Sequence, residues 1–123
     1  MALFWDSSAI LPLVFNEVHS LEAWSAWRSG EDHVAWNWME LETHAALVRR
    51  NANEDQFVAW KACLDKIFLL GMAVANHRSA MKKNKEWKLR SADAGHVYLF
   101  QEFRRNNRNT KMVTFDREMG RVC

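Results

Sequence analysis

The feature that most constrains this chain is a set of three acids, each placed where an apolar run meets a helix or a turn. Leu3-Phe4-Trp5 leads into Asp6-Ser7-Ser8. Leu89-Arg90-Ser91-Ala92-Asp93-Ala94-Gly95-His96-Val97 puts Asp93 in the first turn of an amphipathic helix, and Val113-Thr114-Phe115 leads into Asp116. Acids at such junctions converge at one edge of a parallel sheet, where open α/β sheets place their sites. The spacing therefore predicts an α/β fold with its chemistry at the carboxyl ends of the strands.

The remaining pattern is consistent with this. Residues 2–5 read as a buried strand, followed by a helix that Asp6, Ser7 or Ser8 can cap. Pro12, the only proline, is expected in the first turn of that helix, where no amide bond is lost. Residues 19–28 form a second helix stopped by Gly30, residues 33–36 a strand, and residues 38–50 a helix. At about 100° per residue, Trp38, Leu41, Ala45 and Val48 make its apolar stripe. Glu42 lies roughly 80° from the stripe centre and Glu40 roughly 120°, which makes Glu42 the acid expected to border the core. Helices follow over residues 55–66, 73–85 and from Ser91, with strands over residues 67–70 and 110–115. His96 lies on the apolar stripe of the helix begun by Ser91, so a packed, hydrogen-bonded histidine is expected there.

The chain of 123 residues is 49% hydrophobic, enough for one domain over residues 1–123 to bury a core without staples. Cys63 and Cys123 lack C-x-x-C spacing, which suggests reduced thiols. There is no run of about 18 apolar residues and no basic-then-apolar start, so a cytoplasmic protein with no membrane segment is expected. A net charge of +2 does not by itself point to nucleic acid. The basic residues are nevertheless bunched, in Lys82, Lys83, Lys85, Lys88 and Arg90 and again in Arg104, Arg105 and Arg108.

Four segments in order, Trp5-Asp6-Ser7-Ser8-Ala9-Ile10-Leu11, Glu42 with Ala46-Leu47 and Arg49-Arg50, Leu89 to His96, and Val113-Thr114-Phe115-Asp116-Arg117, together resemble a PIN domain of the VapC toxin type. The resemblance implies a three-layer α/β/α sandwich on a parallel sheet of about four strands. It implies that Asp6, Glu42, Asp93 and Asp116 bind Mg²⁺ or Mn²⁺ and hydrolyse RNA, with Ser8 on the small hydroxyl position after the first acid. An antitoxin protein and a second copy of the chain are the implied partners. Gly95 stands where relatives more often carry alanine or leucine. Only seven residues follow Asp116, too few for a helix and a further strand, so a four-stranded sheet with residues 111–115 at an edge is expected.

Taken singly, each acid has a simpler reading. Asp6 can be a cap, Asp93 a complement to the helix dipole, Asp116 a turn residue and Glu42 a solvated helix glutamate. Taken together they are costly neighbours, because two like charges about 4 Å apart repel by roughly 4 kcal/mol at an effective dielectric near 20. Oxygen ligands of this kind suit Mg²⁺ or Mn²⁺. Lys85, Lys88 and Arg90 are the cations placed to follow RNA phosphates. The alternative to an endoribonuclease is a PIN-like module that binds or assembles without turnover.

Overall fold

The computed structural model describes residues 1–30 and 32–123. Four parallel strands, β1 (Ala2–Trp5), β2 (Asp32–Trp36), β3 (Ile67–Leu70) and β4 (Lys111–Val113), form a sheet in the order β3-β2-β1-β4. Trp5 pairs with Val113, so β1 and β4 end level and release Asp6 and Thr114 at the same edge. The helices are α1 (Ser7–Val14), α2 (Ser20–Ser29), α3 (Trp38–Arg49), α4 (Glu54–Leu64), α5 (Val74–Trp87), α6 (Ser91–Asn106) and α7 (Arg117–Val122).

Alternation along the strands divides the core in two. Leu3, Trp5 and Ala35 pack on one face against Ala9, Ile10, Met39, Leu47 and Trp60 of α1, α3 and α4. Phe4, Val34 and Trp36 pack on the other face against Leu99 and Phe100 of α6. The expected three-layer α/β/α arrangement with four parallel strands is the one observed. β4 is one of the two edge strands, with β3 the other, and after Asp116 the chain forms α7 rather than a fifth strand.

Two expectations are corrected. The stripe Trp38, Leu41 and Val48 on α3 points to solvent, about half exposed, and the buried face is Met39, Thr43, Ala46 and Leu47. Thr43 explains the reversal. Its hydroxyl donates to the Met39 carbonyl at 2.8 Å and accepts the Trp60 indole N–H at 2.8 Å, which satisfies a polar group inside the core. Pro12 lies inside α1, beyond its first turn. The helix tolerates the lost amide bond because it ends two residues later at Val14, where the Phe15 N–H closes on the Leu11 carbonyl at 2.9 Å.

Gly95 has a steric cause. A Cβ there would lie 2.5 Å from the Trp36 ring, closer than any real contact, so the absent side chain is what lets α6 approach β2. Cys63 and Cys123 are both free thiols.

Candidate active site

Asp6 leaves the end of β1 and is only 3% exposed. Ser8 Oγ lies 2.9 and 3.1 Å from its two carboxyl oxygens and donates its proton to the pair. The same Ser8 oxygen accepts the Phe115 N–H at 2.9 Å and sits 3.4 Å from Thr114 Oγ1. Thr114 Oγ1 in turn accepts the Asp116 N–H at 3.0 Å. Two hydroxyls thus tie the loop after β4 to the acid after β1. Burial pushes the Asp6 carboxyl up to about 6, against the opposing charge of His96 and the bonds from Ser8 and Thr114.

Asp93 occupies the first turn of α6. Burial raises its pKa, the Asp116 carboxylate raises it further, and the Arg90 guanidinium opposes both. Arg90 reaches Asp93 at 3.4 Å and Asp116 at 3.8 Å, although its side chain is largely in solvent. Such an exposed bridge contributes little to stability. Asp116 also caps α7, its Oδ1 accepting the Met119 N–H at 3.0 Å.

Glu42 approaches from α3. Its Oε1 accepts the Ser7 hydroxyl at 2.8 Å and lies 2.6 Å from His96 Nε2. Burial raises the Glu42 pKa, but the bond and charge of His96 and the Ser7 bond outweigh it and hold the carboxyl below its usual range. His96 is buried and stands edge-on to Trp36 with ring centroids 5.0 Å apart. Its Nδ1 has no hydrogen-bond partner among the described residues.

No family model matches this sequence, and no curated protein matches it either. Among solved structures, the sarcin-ricin-loop-cleaving toxin VapC20 of Mycobacterium tuberculosis superposes on it with a TM-score of 0.77, covering 98% of this chain and 94% of that one. The fold is that of a PIN domain. The two sequences are 17% identical, so the likeness lies in the path of the backbone.

Within this PIN fold, Asp6, Asp93 and Asp116 are connected through Ser8, Thr114 and Arg90, and Glu42 is connected through His96, whose charge reaches Asp6 and Asp93. Lys85 and Lys88 are exposed, on α5 and on the turn before α6. Among the described residues, no three His, Cys, Asp or Glu side chains are close enough to share one ion. Arg90 bridges Asp93 and Asp116, and His96 bonds Glu42. The donor chemistry still fits a hard divalent cation: it is all oxygen, and Asp6 and Asp93 carry raised pKa values that a positive charge would relieve. Two contributors, Ser7 and Thr114, are not marked as site residues by the sequence. Ser7 and Thr114 each stand one or two residues from an acid and could have been noticed by that adjacency. His96 was expected to be packed and bonded, but nothing in one sequence identifies Glu42 as its partner.

Proposed function

We propose that this PIN domain is a Mg²⁺- or Mn²⁺-dependent endoribonuclease of the VapC toxin type. The observation that carries the reading is the linkage of Asp6 through Ser8 and Thr114 to the backbone of Asp116, at the carboxyl edge of a sheet shared with a ribonuclease toxin. In this reading Asp6, Asp93 and Asp116 hold the cation, and Ser8 fixes the orientation of Asp6. A bound divalent ion supplies charge for the phosphoryl oxygens and lowers the pKa of water. Glu42, ionised at neutral pH and fixed by Ser7 and His96, accepts a hydrogen bond from the attacking water. Arg90, Lys85 and Lys88 contact the RNA phosphates.

The proposed partners are RNA, an antitoxin protein that silences the site, and a second copy of the chain, in a cytoplasmic setting. The exposed apolar stripe Trp38, Leu41 and Val48 supports the dimer; Leu41→Lys should convert it to a monomer in light scattering. No helix among the described residues is long and apolar enough to cross a membrane. The contacts of the carboxylates with Arg90 and His96, without a three-acid cluster among the described residues, favour the second reading, a binding module without turnover. An RNA cleavage assay separates the two. The endoribonuclease requires cleavage that appears with Mn²⁺, disappears with a chelator and is lost in Asp6→Asn; no cleavage by the wild-type protein in Mg²⁺ or Mn²⁺, with no calorimetric response to either ion, would establish the module.

A further inference from the structure

The charge of this chain is divided between two regions. Residues 74–108, which span α5 and α6, carry nine Lys and Arg against three Asp and Glu. That segment holds a net +6, and the rest of the chain a net −4.

The positive region lines one hollow and, through Arg104, reaches a second beside β4. The first is an open concavity of about 840 Å³ bordered by Lys83, Gln101, Glu102, Arg104, Arg105 and Arg108. The second, of about 350 Å³, is bordered by Arg104, Lys111, Thr114 and Cys123, among others. Arg104 belongs to both. Thr114 is the hydroxyl that leads through Ser8 to Asp6. The two hollows, joined at Arg104, form a trough whose Thr114 end lies beside Ser8, the hydrogen-bond partner of Asp6. From Asp93 to Arg104 the helix extends about 16 Å at roughly 1.5 Å per residue. A stacked strand with a phosphate roughly every 3.4 Å covers that distance in about five nucleotides.

The cations of the trough are unevenly committed. Arg105 is paired with Glu102 at 3.3 Å. Lys83 lies 5.8 Å from the Tyr98 ring and Arg104 4.7 Å from the Phe100 ring, positions that orient the charge without neutralising it. Lys83, Arg104, Arg108 and Lys111 form no ion pair with a carboxylate among the described residues. Four cations without an ion-pair partner among the described residues, spread over the two hollows, suit a regularly spaced polyanion better than a single acidic side chain.

We propose that this trough holds the RNA strand beyond the cleaved bond, with Arg104 as its central phosphate contact and Lys83, Arg108 and Lys111 beside it. The proposal rests on the ribonuclease reading above and extends it to a surface outside the acid site. The test is fluorescence anisotropy of a labelled single-stranded RNA, in chelator, as a function of salt. Each phosphate contact removed should lower the slope of log affinity against log salt by about 0.7. Lys83→Ala, Arg104→Met, Arg108→Ala and Lys111→Ala combined should lower it by nearly 3 and weaken binding more than tenfold at 0.1 M salt. In Mn²⁺ the same protein should show a raised KM with kcat within twofold of wild type. Lys61→Ala, which removes a carboxylate-paired cation on α4 that lines neither hollow, should change little. Should the combined variant fold poorly in circular dichroism, Arg108→Ala and Lys111→Ala alone, both at exposed positions, must each give the single-contact change. Wild-type cleavage with unaltered RNA affinity in the trough variants would overturn the trough and leave the ribonuclease standing. Loss of poly-glutamate binding with RNA affinity retained would assign the trough to an acidic protein segment instead. Absence of both binding and cleavage by wild type would overturn both readings.

Discussion

Asp6 and Glu42 make an instructive pair, because each has a serine hydroxyl donor and each feels His96, yet their carboxyls are driven in opposite directions. Asp6 is almost completely enclosed, and burial outweighs every favourable contact to lift it to about 6. Glu42 keeps 29% of its side chain in solvent and holds the short bond to His96, so the ionised form is favoured. Enclosure decides the first case and a direct hydrogen bond to the carboxylate the second. One edge of the sheet thus carries an acid in need of a counter-charge beside an acid that already has one.

The largest expected effect tests this contrast through activity. Asp6→Asn should reduce single-turnover RNA cleavage in Mn²⁺ by about 10²–10³, as for removal of a main electrostatic contributor. An Asp6→Asn protein that cuts as fast as wild type would remove Asp6 from the site.

Stability should move the other way. In chelator, ionising buried Asp6 costs the fold about 3 kcal/mol once the pH has passed from the unfolded value of 3.8 through about 6. The protonated form is therefore the stabilising one, fully present below pH 3.8 and lost as pH rises through 6. Asp6→Asn should gain up to about 3 kcal/mol in urea denaturation at pH 7.5 and nothing at pH 3.5. A destabilised variant at pH 7.5 would mean that the Ser8 bond matters more than enclosure.

Glu42→Gln should lose about 10- to 100-fold in cleavage, as when an orienting partner is removed, and should gain no such stability at pH 7.5. Glu40→Gln, one step outside the His96 contact, should stay within twofold of wild type in the same assay. The reverse ranking of the two glutamates would shift the register of α3 by two residues.

A smaller effect comes from packing. Gly95→Ala should cost about 1–3 kcal/mol in thermal or urea unfolding, because the new methyl group displaces the Trp36 ring. That ring also meets His96 edge-on, so the change should reach Glu42 before Asp6. A neutral Gly95→Ala would show that α6 can move away from β2 at no cost.

The order of elements and the edge position of β4 were legible from apolar runs and turn residues, because both follow from local periodicity. The inward face of α3 was not. Trp38, Leu41, Ala45 and Val48 repeat with helical spacing, but a threonine with two buried partners competes for the core, and those partners come from Met39 and from Trp60, seventeen residues along the chain. Asp6, Asp93 and Asp116 could be named from their junctions; the cations that separate them could not. The basic run around Arg90 points its side chain to phosphate, and the structure shows it bridging two of the acids. Glu42 was singled out relative to a stripe that turned out to face solvent, and its contact with His96 depends on a separation of 54 residues that no local pattern encodes.

The turn that delivers Asp93 carries a built-in conflict. Lys88 ends α5 in the left-handed conformation at φ 59°, a posture that costs a side-chain-bearing residue roughly 1–2 kcal/mol, and Asn84 clamps the next residue by bonding both the N–H and the carbonyl of Leu89 at 2.9 Å. Glycine would relax that backbone, yet it would also erase a positive charge two residues before Arg90. In the proposed ribonuclease, thermal robustness and grip on RNA are therefore opposed at a single position, and a variant library selected for heat resistance alone should drift toward a tougher, weaker-binding molecule.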